Sequence, residues 1–274
     1  MVAQNATSTS SSPAITGSTN TTSTASARKI GDSGFQEKEG ITFNGGAFNY
    51  SRKLDVNSGN TFLGAGGVPF STTLRGSDKD REWVPQFEVE SRRLFGDRDD
   101  LTWDVGLSGH WGSYGFNTTG SPTAGATENH DVDLDTIGLN PFLGVSYYPK
   151  KLQSKRDLTR FSLRAGPTVS YNQLDWRRTT TTAGGTASGR DSDNSWGVGG
   201  LVEGRVGWEH HFGDSEDDPV FGIFGGVGYS DWGDAKSDYG KVKSGDVHWG
   251  VGASLSIPTE NFWGNLRKVF TGGK

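Results

Sequence analysis

The sequence predicts an all-β fold, namely an eight-stranded antiparallel up-and-down transmembrane β-barrel with a disordered N-terminal arm and a short C-terminal helix. Three observations predict it. The 274-residue chain contains 42 glycines and 11% aromatic residues, nine of them Trp, a composition typical of strands and turns. Most segments after residue 40 alternate apolar and polar residues with a period of two. The long connections between them all occupy odd positions, as in a meander whose long connections share one end.

Eight strands are predicted from the alternation, and they are taken here in order. The first has apolar residues on both faces, whereas the third places Leu101, Trp103 and Trp111 on one face. The fourth and eighth alternate in the same way, with glycine frequent on the polar face. In the sixth, Trp196, Val202 and Trp208 share one face and charged residues occupy the other. The predicted strands are 41–56, 82–95, 101–116, 131–148, 160–176, 196–212, 220–231 and 246–257.

The segments between these strands predict the loops and the domain organisation. Long loops are expected at 57–81, 117–130, 177–194 and 232–245, with aromatic residues such as Phe62, Phe70, Trp232 and Tyr239 in them. Residues 1–34 are rich in Ser and Thr and predict a disordered linker. Residues 35–258 would form the barrel, and 259–274 a short amphipathic helical tail. The N terminus lacks the features of a signal peptide, and we expect that one has been removed.

The glycine-rich polar faces indicate the inside of a narrow cylinder, because about eight strands enclose a lumen that side chains can fill. The apolar faces would then look outward. Charged residues on the inward faces must be paired, since an unpaired buried charge costs several kcal/mol. The predicted lumen charge network consists of Glu88, Glu90, Arg92, Arg164, Glu203, Arg205 and Glu209. An ion or proton path through them is an alternative to a purely structural network.

This pattern resembles the eight-stranded bacterial outer-membrane β-barrels of OmpA-like and OmpW-like architecture, over residues 41–257. The resemblance implies short periplasmic turns, longer extracellular loops and an aromatic girdle at each membrane interface. It also implies outer-membrane lipid or lipopolysaccharide as the surroundings of the outward faces. The expected membrane-interface aromatics are Trp83, Trp103, Trp111, Tyr147, Tyr171, Trp196, Trp208, Tyr229 and Trp249, joined by Phe95, Phe161 and Phe221.

The last predicted strand resembles the signal that the barrel-assembly machinery recognises. That signal is a polar residue, a glycine two positions on, and apolar residues five and seven positions on. His248, Gly250, Ala253 and Leu255 have this spacing. The family's signal normally ends the chain with an aromatic residue, whereas this chain continues past it.

The sequence predicts a non-enzymatic protein that serves as a membrane anchor, an envelope-structural component or a surface-interaction protein, with an envelope or surface protein as a possible partner. No cofactor, metal site or catalytic residue is expected, since cysteine is absent and the histidines are scattered. The net charge of −5 gives no support for nucleic-acid binding. Two alternatives stay open: a lipid A-modifying enzyme using His110 and Ser113, and a soluble carbohydrate-binding β-sandwich. A calcium site among Asp231, Asp234, Asp238 and Asp246 is conceivable but lacks a known loop spacing.

Overall fold

The structure, a computed structural model, describes residues 40–63, 69–95, 98, 100–123, 125–213 and 218–258. The predicted N-terminal linker and the predicted helical tail lie outside these residues. Nearly all of the described chain is strand. The strands are β1 (Gly40–Leu63), β2 (Pro69–Leu94), β3 (Leu101–Thr123), β4 (Ala126–Tyr147), β5 (Asp157–Thr182), β6 (Gly185–His211), β7 (Val220–Ser230), β8 (Ala235–Ser237), β9 (Gly240–Lys243) and β10 (Asp246–Pro258).

Eight of these strands form a closed ring. Each long strand pairs antiparallel with the next, from β1 to β7, then β7 pairs with β10 and β10 returns to β1. The closing ladder runs from Gly40 opposite Pro258 to Asn49 opposite Trp249. A closed ring leaves no sheet edge. The predicted fold class, an up-and-down barrel, is therefore confirmed, and a two-sheet sandwich is wrong.

The prediction of four long loops is wrong, because most of the residues assigned to those loops lie in strands. β1 and β2 stay paired out to Leu63 opposite Pro69, and β5 and β6 stay paired to Thr182 opposite Gly185. Phe62 and Phe70, expected in a loop, are paired positions in the first of these ladders. The physical reason is that threonine-rich segments favour strands even where they are polar, and that inward positions in the predicted loops carry apolar residues such as Ala126, Ala235 and Val242.

The barrel therefore has two storeys. The lower storey is the ring of eight strands. The upper storey, which we call the extension, is built from the outer halves of β1 to β6, at the end of the barrel where the long hairpins turn. From Trp111 to Thr123 a strand adds twelve residues, which at the usual rise and tilt project about 30 Å.

The small hairpin β8–β9 fills the side of the extension that β7 and β10 leave open. β9 pairs with β1 from Lys53 to Val56, and the carboxylate of Asp191 on β6 accepts hydrogen bonds from Ser237 and from the Asp238 backbone N–H. Trp232, which the sequence placed in an exposed loop, is instead buried inside the barrel. Only a tertiary contact explains this, because the polar residues around it predict exposure.

One seam in the wall departs from regular pairing. β2 and β3 pair from Leu94 opposite Thr102 only as far as Gln86 opposite His110. Above that point, side chains replace the ladder. The Asp80 carboxylate accepts the Gly115 N–H at 3.1 Å, and the Asp78 carboxylate accepts the Asn117 N–H at 3.1 Å. The wall between β2 and β3 is thus held by two carboxylates rather than by backbone hydrogen bonds.

Candidate functional site: an apolar outer band and a sealed lumen

The outer wall of the lower storey is an apolar band. Trp196 and Val198 on β6 are 72% and 71% exposed, and large apolar side chains on the other long strands are exposed as well, among them Val105 at 38% and Phe87 at 72%. A water-soluble monomer rarely exposes one contiguous apolar surface of this extent. The outward set includes Phe87, Val89, Val105, Leu107, Ile137, Leu139, Leu143, Val145, Leu163, Val169, Val202, Val206, Ile223, Val227, Val247 and Val251.

The aromatic residues expected at the membrane interfaces all lie on this outward face. At the upper edge of the band, Trp83 packs edge-on against Trp249 with ring centroids 4.7 Å apart, and Tyr171 lies 5.2 Å from Trp196. Trp111 and Tyr229 are exposed there too. The lower edge of the band carries Phe95, Trp103, Tyr147, Phe161, Trp208 and Phe221, each at least one-third exposed. Amphipathic rings in two belts are the arrangement that a bilayer favours.

The lumen charges form two separate clusters of two arginines and two glutamates. In the lower cluster, Arg92 contacts Glu90 at 2.8 Å and Glu209 at 3.0 Å. Arg160 contacts the same two carboxylates, at 2.8 and 3.4 Å. Each cation therefore touches both anions, which is the compensation that buried charges require.

The upper cluster repeats the arrangement one step further up the barrel. Arg164 and Arg205 each contact both Glu88 and Glu203, at 3.1 Å for Arg164–Glu203 and 3.0 Å for Arg205–Glu88. His248 adds a contact to Glu203 at 2.9 Å. Aromatic rings cover the cluster, since the Arg205 guanidinium lies 4.4 Å from the Phe224 ring centroid and Arg164 lies 4.7 Å from that of Phe142.

The structure thus places all seven sequence-predicted lumen charges inside the barrel, and brings in members that the sequence analysis missed. Arg160, which the predicted network did not include, completes the lower cluster. His248 was assigned only to the assembly signal. Asp104 is buried nearby and accepts hydrogen bonds from Thr102 and Ser146. Inward parity on β3, β5 and β10 was the signal that could have identified them.

Glycines on the inward faces of the strands leave room for the large side chains that fill the lumen. A Cβ on Gly250 would lie 2.5 Å from the Phe48 ring, and one on Gly138 would lie 2.2 Å from His110 Cε1. Either distance is far below a normal contact.

The other two residues of the predicted assembly signal, Ala253 and Leu255, face outward on β10, and recognition by the assembly machinery stays a prediction.

Above the charged clusters lies a layer of aromatic rings. Tyr50 stacks on His110 at 5.3 Å and on His248 at 4.9 Å. Trp232 packs edge-on against His110 at 4.1 Å. This layer separates the charges below from the apolar interior of the extension.

The apolar core continues upward from this layer into the extension. Leu54, Val56, Phe116, Val132, Leu134, Leu174, Trp176, Ala235 and Val242 are buried there, with Tyr239 packed against them. Near the hairpin tips, the Trp176 indole N–H donates to His130 Nδ1 at 2.9 Å, and His130 Nε2 lies 2.9 Å from Glu128. An acceptor at Nδ1 fixes the neutral Nε2–H tautomer. Burial lowers the pKa of His130, although Glu128 acts in the opposite direction.

We expect the extension to loosen below about pH 6.5. The folded-state pKa of His130 is depressed, so its contribution to stability is complete above the unfolded value of 6.5 and is lost as the pH falls. The loss cannot exceed about 1.4 kcal/mol per pH unit. Hydrogen exchange of β8 and β9 amides, corrected for intrinsic rates, should accelerate between pH 7 and pH 5. The groups around His130 include Glu128, Arg178 and Tyr239, so His130→Gln is the control. An unchanged pH dependence in that variant would assign the effect elsewhere.

The enzyme and metal candidates are not assembled by the fold. His110 is buried in the lumen while Ser113 is exposed on the opposite face of β3, so the two cannot share a proton directly. Asp231 accepts hydrogen bonds from the Gly233 N–H and the Ser244 hydroxyl. Within the described ranges, no three His, Asp or Glu side chains are grouped to hold a metal ion. Within those same ranges, no helix is long and apolar enough to span a bilayer.

Comparisons with known proteins add solved structures of similar fold. No family model matches the chain, and no curated protein matches it. The attachment invasion locus protein Ail of Yersinia pestis is 14% identical, with a TM-score of 0.30, over 80% of this chain and 99% of its own. Neisserial surface protein A is 12% identical, with a TM-score of 0.33, over 79% and 96%. The outer membrane protein OprG of Pseudomonas aeruginosa is 15% identical, with a TM-score of 0.31, over 81% and 97%.

The strand pairing of this chain itself establishes the fold. Consecutive long strands pair, the last meets the first, and the outward faces are apolar between two aromatic belts. Antiparallel pairing, up-and-down order and an outward apolar band are the features by which small transmembrane barrels are recognised. The closed ring of β1 to β7 and β10 gives this chain the architecture of the eight-stranded outer-membrane β-barrels that it resembles.

Proposed function

We propose that this protein is a non-enzymatic outer-membrane barrel that anchors a rigid, strand-built extension above the bilayer for contact with another envelope or surface component. The observation that carries the proposal is the two-storey barrel. An apolar band fits the bilayer, whereas the extension above it has a polar outer surface and a packed core. A surface held on rigid strands is suited to binding, because little conformational entropy is lost when a partner docks.

The outer surface of the extension is divided by charge. On β1, β2 and β9, basic residues face outward just above Trp83, with Lys53 directly opposite both Lys79 and Lys243. Partial pairing with Asp55 and Asp246 leaves these lysines more than 40% exposed. On β4 the outward positions Asp131, Asp133 and Asp135 form an acidic stripe, with Asp133 opposite Asp175 of β5. Two surfaces of opposite charge are available to partners, and the basic one lies at the height of lipid phosphate groups.

The filled lumen argues against a transport role. The two Arg–Glu clusters, the aromatic layer and the apolar core of the extension lie one above the other across the described barrel. We therefore expect purified protein to form no large, steady pore. Planar-bilayer recordings should show no stable conductance steps of porin size, with a porin run in parallel as the positive control. Steady porin-sized steps would contradict the sealed lumen.

The proposal is tested by recovery of partners from detergent-solubilised envelopes. Two triple variants serve as controls for each other. The first changes the basic residues Lys53, Lys79 and Arg81 to Gln. The second changes the acidic residues Asp131, Asp133 and Asp135 to Asn. Both leave the apolar band and the lumen untouched. We expect the full chain to recover a specific protein, glycan or lipopolysaccharide, and one variant to lose it. If the full chain recovers only assembly factors, or if both variants recover the same material, the interaction role is wrong.

A further inference from the structure

Five buried polar atoms that find no hydrogen-bond acceptor among the described residues lie in the lumen between the upper charged cluster and the core of the extension. They are Arg52 Nη2, Gln86 Nε2, His110 Nε2, Trp232 Nε1 and the Tyr114 hydroxyl. All five can donate a hydrogen bond. Buried donors are rarely left unsatisfied, since each costs about 1–3 kcal/mol. A group of donors with no acceptor indicates that something else accepts from them.

These side chains are neighbours. The Tyr50 hydroxyl donates to Gln86 Oε1 at 2.9 Å, which leaves the Gln86 amide nitrogen as a donor. The Tyr50 ring contacts the rings of both His110 and Trp232, at 5.3 and 6.3 Å between centroids. Arg52 follows two positions along the same inward face of β1, with its guanidinium 5.3 Å from the Tyr114 ring centroid. The guanidinium is also near enough to act electrostatically on His110.

Arg52 gives the group a net positive charge. It is only 2% exposed, and unlike the four arginines of the clusters it forms no ion pair within the described residues. The charge of Asp231 also acts on Arg52. Asp231 Oδ1, however, already accepts hydrogen bonds from the Gly233 N–H and the Ser244 hydroxyl. Water could accept hydrogen bonds here, but it cannot compensate a buried charge as an anion does.

We infer that Arg52, Gln86, His110, Tyr114 and Trp232 form an internal binding site for a compact monovalent anion, such as a halide or a small carboxylate. The charge of Arg52 and the donors around it would replace the hydration shell of the ion. The site lies beside the start of the seam, because Gln86 and His110 are the last backbone pair between β2 and β3 and Arg52 is opposite Asp80 in the β1–β2 ladder. Above them, among the described residues, the Asp78 and Asp80 carboxylates take the place of the backbone ladder, so the wall is weakest where an ion would enter.

The test is an anion titration of the full chain in lipid nanodiscs, followed by the indole N–H resonance of Trp232, which Trp232→Phe assigns. Sodium iodide or sodium formate replaces sodium gluconate at constant ionic strength, since gluconate is too bulky for the site. We expect a saturable shift of this resonance with the small anions. Arg52→Met should weaken the apparent affinity at least tenfold. Arg190→Met, which removes an exposed guanidinium from its pair with Asp175, should leave it unchanged.

Three results would overturn the inference. The first is a Trp232 resonance that does not saturate, which would mean that water alone satisfies the donors. The second is an equal response in Arg52→Met and the wild type. The third is the absence of iodide anomalous density beside Arg52 in crystals grown with iodide, a measurement that stands even if Arg52→Met fails to fold. None of these results bears on partner recovery by the extension.

Discussion

Replacing Glu203 by Gln is expected to destabilise the barrel by about 3–5 kcal/mol, because it removes one anion from a buried cluster with two cations. Glu203 is fully buried and contacts Arg164, Arg205 and His248. The glutamine has nearly the same shape, so the loss reports charge rather than packing. Equilibrium unfolding by urea in lipid vesicles, followed by tryptophan fluorescence, gives the free energy of unfolding.

Two companion variants make this result specific. Asp175→Asn breaks an exposed pair with Arg190 and should change the free energy of unfolding by less than about 1 kcal/mol. Changing Glu203 and Arg205 together to Met removes one charge of each sign, and it should recover a large part of the loss. A Glu203→Gln variant as stable as the wild type would show that the clusters are hydrated rather than sealed.

Replacing Val202 by Arg is expected to cost about 2–4 kcal/mol, the penalty for a charge on the lipid face near the bilayer midplane. Val202 lies midway between Trp196 and Trp208 and is 52% exposed in the isolated chain. In water, an exposed valine changed to arginine would have almost no effect. The same vesicle unfolding measurement applies.

Asn194→Arg is the matched control for this prediction. Asn194 lies on the same outward face of the same strand, two positions above the Trp196 belt, and is exposed. It should therefore be neutral. Equal, small effects at positions 194 and 202 would contradict a lipid-facing band, whereas equal, large effects would indicate a packing role for both.

The lower storey was predictable because its pattern is local. In residues 195–211 the apolar residues Trp196, Val198, Val202, Val206 and Trp208 share one parity, and the strand carries that pattern directly to one face of the wall. Arg160 was missed because it follows a basic turn, and because the pairing that buries it comes from β2 and β6, which are distant in sequence.

The extension was less predictable because its outward and inward faces differ less in polarity. Around Thr179–Thr182 the residues are polar on both faces, so the segment resembles a loop in composition while it pairs as a strand. Trp232 and Tyr239 point inward only because β8 and β9 dock where β7 and β10 stop. The two Arg–Glu clusters were predictable only in part. Parity places the charges inside, but which arginine meets which glutamate depends on the relative register of three strands, β2, β5 and β6.

The central claim, that the apolar band lies in a bilayer, is tested most directly by cysteine labelling along β6, since the chain has no cysteine of its own. Single cysteines at the outward positions Ser188, Ser192, Asn194, Val198, Val202 and Val206 would be treated with a water-soluble maleimide in intact membranes. The account predicts rapid labelling at 188 to 194 and protection at 198 to 206, with labelling of all six after unfolding. Because all these outward positions are exposed in the isolated chain, only lipid can protect the valines. Uniform rapid labelling of the folded protein would contradict the account.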